Sequence, residues 1–236
     1  MAIVINNFDE NVEDADLFTA DVTGDDNLLI YGGAALDSGS IATMTTSDHG
    51  GTSFTTHAIH DAETPLGPNT WVDASGHILD ASIPTGSQTF NQDFSGTFPD
   101  TTFHMCTISG ADQTTPYKES AIITYNLTTP GALTYNVGSN GGLAILQITT
   151  NVNTPQAPTG TGTWVQQGVT KTLSTLSDYV IYTRIITGSE TGTTVTPVMN
   201  GDTTGRGFSR LVIYNAAAAA GGGAGYSNKL GLLGVG

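Results

Sequence analysis

Apolar residues along this 236-residue chain come in runs of four to nine, broken at short intervals by glycine, proline, asparagine and aspartate. Some runs alternate apolar and polar positions, as in Leu133-Thr-Tyr-Asn-Val137, which is the period of a strand with one wet face. Others are apolar almost without interruption, as in Leu28-Leu-Ile-Tyr31 and Leu143-Ala-Ile-Leu146. The pattern predicts strands over 27–31, 40–46, 53–59, 76–82, 87–90, 102–108, 121–126 and 132–137. It continues with strands over 143–149, 162–167, 178–186, 193–198 and 208–214. Turn signals such as Gly32-Gly33, His49-Gly50-Gly51, Pro84-Thr85-Gly86 and Asn140-Gly141-Gly142 separate them. No segment holds a helical period beyond a turn or two. Short strands at this spacing predict an all-β protein, a β-sandwich or jelly roll, and argue against βαβ units.

Three segments frame that domain. Residues 1–26 are rich in acid and read as an irregular N-terminal arm, packed by Leu17 and Phe18. Residues 27–215 form the sandwich, with 151–161 as an exposed loop or a linker inside it. Residues 216–236 change character: ten alanines and glycines make a spacer, and an apolar end follows. No internal repeat is visible. In that end, Tyr226, Leu230, Leu232, Leu233 and Val235 are the candidate partner-binding residues of an arm that docks on a neighbouring subunit. The alternative is a segment that folds back on its own sheet.

Composition strengthens the β reading, since the chain has 39 threonines and only 11 % charged residues. Charge then narrows function. Residues 1–117 hold seventeen acidic and no basic side chains; residues 118–236 hold four acidic and six basic, so −17 and +2 sum to −15. So few cations cannot neutralise a row of phosphates, which excludes nucleic acid as a partner, and anionic membrane with it. The lone Cys106, in Phe103-His-Met-Cys-Thr-Ile108, reads as a buried thiol rather than a nucleophile. The N-terminal Met-Ala-Ile-Val-Ile-Asn-Asn has no basic region, and no apolar run reaches membrane length. The expectation is assembly in a cytoplasm.

Candidate chemistry is sparse. Asp21, Asp25 and Asp26 lie in the glycine-containing loop Asp21-Val-Thr-Gly-Asp-Asp-Asn27 and offer oxygen ligands to a calcium ion, with a solvated acidic loop as the alternative. No other cofactor is expected. His57 and His60 stand three apart on a strand, which sends them to opposite faces, and His49, His77 and His104 are isolated in sequence. Nucleophile elbows, phosphate loops and paired metal-binding histidines on a helix are missing, so the chain is not read as an enzyme.

One segment is specific. Ile83-Pro-Thr-Gly-Ser-Gln-Thr-Phe90, followed by Ile108-Ser-Gly-Ala-Asp-Gln-Thr-Thr-Pro-Tyr117, resembles a β-sandwich domain of tailed-phage virion proteins and bacterial surface proteins. Ala111 stands where that family usually has valine. The likeness spans roughly residues 25–215, and only the Asp-Gln-Thr-Thr-Pro corner is distinctive. It implies a jelly-roll-like scaffold displayed on a particle or cell surface. Taken with charge and tail, the expectation is a structural protein outside a tailed-phage virion. A homo-oligomeric capsid decoration protein, bound to the major capsid protein or other virion proteins, fits best. The alternatives are a tail-tip or fibre-associated carbohydrate- or receptor-binding module and, more distantly, an adhesin subunit. Independently of the likeness, Asp112 is placed to accept bonds from following backbone N–H groups, with Pro116 fixing the exit.

Overall fold

The computed structural model describes residues 2–12, 16–37, 44–57, 60–62, 70–94, 100–125, 130–151, 154–174, 177–200 and 206–219. In the first half the strands are β1 (Val4–Val12), β2 (Leu17–Thr19), β3 (Leu28–Asp37), β4 (Met44–His49) and β5 (Thr52–Ser53). They continue with β6 (Thr55–Thr56), β7 (His60–Ala62), β8 (Thr70–Leu79), β9 (Ser87–Phe94) and β10 (Asp100–Ser109). The second half holds β11 (Tyr117–Tyr125), β12 (Leu133–Val137), β13 (Gly142–Asn151) and β14 (Thr154–Gly160). It closes with β15 (Val165–Ser174), β16 (Ser177–Ile186), β17 (Glu190–Asn200) and β18 (Arg206–Asn215). Among the described residues the one helical element is a 3-10 turn over Asp80–Ser82. All strand pairs are antiparallel.

Each half is a sandwich of two sheets. In the first, β1-β10-β3-β8, edged by β6 and β7, covers β2-β9-β4-β5; in the second, β11-β18-β13-β16-β15 covers β12-β17-β14. The order is that of a jelly roll, and it occurs twice. β1, β10, β3 and β8 correspond in place to β11, β18, β13 and β16, and β2, β9 and β4 to β12, β17 and β14. The two larger sheets face each other, so the described residues stack four sheets deep with three apolar layers.

Strand alternation explains how two sheets serve three layers. From β13, Leu143 and Ile145 enter the middle layer, while Ala144, Leu146 and Ile148 enter the outer layer of the second half. From β3, Leu28 and Ile30 face the middle, while Leu29 and Tyr31 face the outer layer of the first half. A strand covered on both faces reads as a continuous apolar run, which is why 28–31 and 143–146 lack alternation. The one-sided strand β12 buries Leu133, Tyr135 and Val137 and exposes Thr134 and Asn136.

The acidic N-terminal segment is not an irregular arm. β1 is the edge strand of its sheet, paired with β10 from Val4↔Ser109 to Val12↔Phe103. Bulges between Ile5 and Asn7 and between Asp9 and Val12 break its alternation, so Ile3, Ile5 and Phe8 all reach the middle layer. Phe18 is buried, but Leu17 is 62 % exposed. The stretch 151–161, expected as a loop, contains strand β14. It pairs only with β17, so Pro155 and Pro158 sit on a sheet edge, with a register shift between Gln156 and Thr159. At the other end Ala216 bridges Ala111 and is buried, and Ala217 donates to the Gly110 carbonyl. The compact body therefore runs on past 215 into the first alanines of the spacer.

Candidate functional site

The Ser109–Pro116 corner is the crossover between the two sandwiches, carrying the chain from β10 to β11. Asp112 Oδ1 accepts from the backbone N–H groups of Thr114 (2.8 Å) and Thr115 (3.0 Å), and Oδ2 accepts from the Thr115 hydroxyl. Those bonds, led by Thr115 N–H, hold its carboxyl below the usual carboxylate range. Gln113 spans the join, donating to the Asn27 carbonyl (2.9 Å) and accepting from the Asp80 N–H (3.1 Å). Gly110 takes φ +74°, and a Cβ there would stand 2.5 Å from the Ala2 carbonyl oxygen. The motif is thus an architectural joint.

The Asp21–Asn27 loop is tied to that joint. Asn6 donates to the carbonyls of Asp21 and Thr23, and the buried Asn27 donates to the Gly24 carbonyl (2.9 Å) and Asp80 Oδ1 (3.1 Å). Asp21 Oδ1 accepts from the Thr23 N–H, while the Asp25 and Asp26 carbonyls accept from Gly110 and Ala111. Among the described residues no three His, Cys, Asp or Glu side chains gather to hold a metal ion, and Asp21, Asp25 and Asp26 belong to no such group. One Asp21 carboxylate oxygen and several backbone carbonyls thus tie the loop to itself and to the corner.

Tyr226, Leu230, Leu232, Leu233 and Val235 lie outside the described residues. Two clefts flank the place where the described chain ends. One, of about 350 Å3, is lined by Ala2, Ile185, Ile186 and Ala219; Ile185 is 46 % exposed. The other, of about 240 Å3, is polar, with Asp112, Lys118, Asn140 and Asn215 on its walls. The turn Ser139-Asn140 borders both.

What the sequence does not disclose is the polar seam inside the middle layer. From the first half, His77 on β8, His57 just after β6 and His104 on β10 point towards the second half, each under 8 % exposed. His104 Nδ1 lies 2.7 Å from the Tyr179 hydroxyl on β16. His57 stacks on Tyr117 of β11 at 3.9 Å between ring centroids, and His77 meets Tyr214 of β18 edge-on at 6.4 Å. Every one of these histidines thus touches a tyrosine of the opposite sandwich. Within the first half, His77 Nδ1 lies 3.2 Å from His57 Nε2, so one ring donates and the other accepts.

Arg210 of β18 is buried in the same layer beside Gln147. A cavity of about 10 Å3, room for one water, opens among Ser75, His104, Gln147, Arg210 and Tyr214. The Ser75 and Tyr214 hydroxyls beside it have no hydrogen-bond partner in the protein. Gly32 permits the arrangement: a Cβ there would come within 2.5 Å of the His104 ring. Burial first, then Arg210, holds His104 down to about 3; burial, His77 and Arg210 hold His57 down to about 3. Burial lowers His77 as well, raises Tyr214 well above its usual value, and pushes the Cys106 thiol up to about 12. Cys106 is therefore the inert buried thiol expected of it. The one signal for the seam was strand parity, which places His104 and Cys106 on one face of β10, and Ser75 and His77 on one face of β8.

A second polar clamp sits between the sheets of the second half. Arg184 donates to both carboxylate oxygens of Glu190 (2.5 and 2.8 Å) and to the Tyr135 hydroxyl. Burial opposes its charge, yet Glu190 and Tyr135 outweigh that cost and raise its pKa. The geometry is bidentate and structural.

Comparison of the chain with known families, with curated proteins and with solved structures gives no match.

Proposed function

We propose that this chain is a structural protein on the outside of a tailed-phage virion, a capsid decoration protein bound to the major capsid protein or to other virion proteins. The observation that carries the reading is the exit of the chain. The body ends in strand β18 and the docked Ala216 and Ala217, beside a cleft floored by the exposed Ile185. Beyond it the sequence supplies a small-residue spacer and then Tyr226, Leu230, Leu232, Leu233 and Val235. A body with a reaching apolar end suits attachment to a lattice, and sheet edges offer a second mode by β-augmentation. The charge of −17 in the first half keeps that face away from packaged DNA. The resemblance carried by the Asp112–Pro116 corner agrees with display on a particle.

The test is removal of residues 220–236, which leaves the docked alanines in place. The truncated chain should keep its melting temperature and fail to join particles; undiminished incorporation refutes attachment by the tail. A second reading, a carbohydrate-binding module of the tail tip, is favoured by the polar cleft at Asp112, Lys118, Asn140 and Asn215. Binding on a neutral glycan array, abolished by Asn140→Ala, would select it over decoration.

A further inference from the structure

The middle layer differs from the two outer ones in kind. The outer layers close each half within itself and are built on Phe90, Phe103 and Met105, or on Leu146, Ile148 and Leu211. The middle layer joins the halves, and there three histidines face tyrosines across the join. We infer that this seam is an acid-sensitive latch: protonation of His57, His77 and His104 parts the two inner sheets while each sandwich keeps its strands.

The argument is geometric. His57 and His77 share one hydrogen bond between ring nitrogens, which requires at least one of the two to be neutral. His104 lies stacked against Phe8 at 5.7 Å, is bonded to Tyr179 across the seam, and is buried. The titratable and charged groups facing these rings among the described residues are Tyr117 of β11, Tyr179 of β16, Arg210 and Tyr214 of β18, and Cys106 beside them on β10. No carboxylate is among them. The nearest buried acid on an adjoining strand is Glu10 of β1, whose Oε1 accepts from the Val169 N–H of β15. A new positive charge on His57 or His104 is opposed by burial and by Arg210, and one on His77 is opposed by burial beside the Tyr214 ring.

The sign follows from linkage. These histidines have an ordinary value of 6.5 and are held neutral in the folded chain, so the parted or unfolded state takes up protons first. Their contribution is complete above pH 6.5 and drains away as pH falls from there towards 3. At pH 4.5, each of His57 and His104 biases the equilibrium against the closed state by roughly a hundredfold. His49 is the competing case: it is buried in the outer layer of the first half, its Nε2 3.1 Å from the Phe18 carbonyl, and burial lowers it too. One histidine there stands against three at the seam.

Cys106 is the reporter, since its side chain lies in the seam and is 1 % exposed. The full chain is mixed with 4,4′-dithiodipyridine, which reacts with thiols in acid, at pH 7.5 and at pH 4.5. Rates are divided by those of the urea-unfolded chain at the same pH, and the far-ultraviolet dichroism is recorded alongside. The latch predicts at least a tenfold rise in the normalised rate at pH 4.5 with the β-sheet spectrum retained. It predicts that His104→Asn, and His57→Asn with His77→Asn, each reduce that rise, whereas His49→Asn leaves it. Equal normalised rates at the two pH values in the wild-type chain overturn the inference, whatever the variants do. So does loss of the sheet spectrum in step with labelling, or a rise undiminished in the seam variants.

Discussion

Asp112 and Gly110 show how the joint between two sandwiches comes down to single atoms. Asp112 fixes the turn through three hydrogen bonds, and its depressed carboxyl means that this support is present above the ordinary carboxylate range and lost as pH falls through the folded value. Asp112→Ala should cost about 1–2 kcal/mol in urea denaturation at pH 7, and the cost should shrink as pH falls below the ordinary carboxylate range. Gly110→Ala would put a methyl against the Ala2 carbonyl at a left-handed φ and should cost about 2 kcal/mol or more. A Gly110→Ala chain as stable as wild type would show that the β1 end does not close over the corner. The Asx role was legible because Asp-x-Thr before a proline is local chemistry. The partnership of Gln113 with Asn27 and Asp80 was not, because it joins positions more than thirty residues apart.

Among the strands, legibility followed the number of covered faces and the evenness of alternation. β12 alternates and was visible; β3 and β13 are continuous runs and were visible as such. β1 was hidden because two bulges reset its parity and its two acids split between an exposed Asp9 and a buried Glu10, so no alternation is left to read. β14 was hidden by two prolines that only an edge position tolerates. The two-faced burial of β13 makes a sharp demand. Ile145→Ala, in the seam, and Leu146→Ala, in the outer layer, should each cost about 2–5 kcal/mol, while Thr134→Ala on the wet face of β12 should change stability by less than about 0.5 kcal/mol. Tolerance at either 145 or 146 would mean that β13 has an open face. The histidines read as isolated in the sequence because parity says which face a residue takes, but not that two sheets will meet there.

For the whole molecule, the duplicated strand order is carried by topology and not by residues. β3 and β13 occupy equivalent places yet share little beyond apolar character, so no sequence repeat announced it. The four-sheet stack and the charge split together give a body whose first half is strongly acidic. Salt shortens the range of its self-repulsion from about 8 Å at physiological strength to about 3 Å at 1 M. The melting temperature should therefore rise with sodium chloride and fall as salt is withdrawn; a flat response would assign the acids to solubility alone. The most direct test of the proposed role is immunogold labelling, with an antibody to this chain, of particles purified from cultures that produce it. An outer coat role predicts gold distributed over the head surface. Gold confined to the tail tip, or particles that carry none, would contradict it.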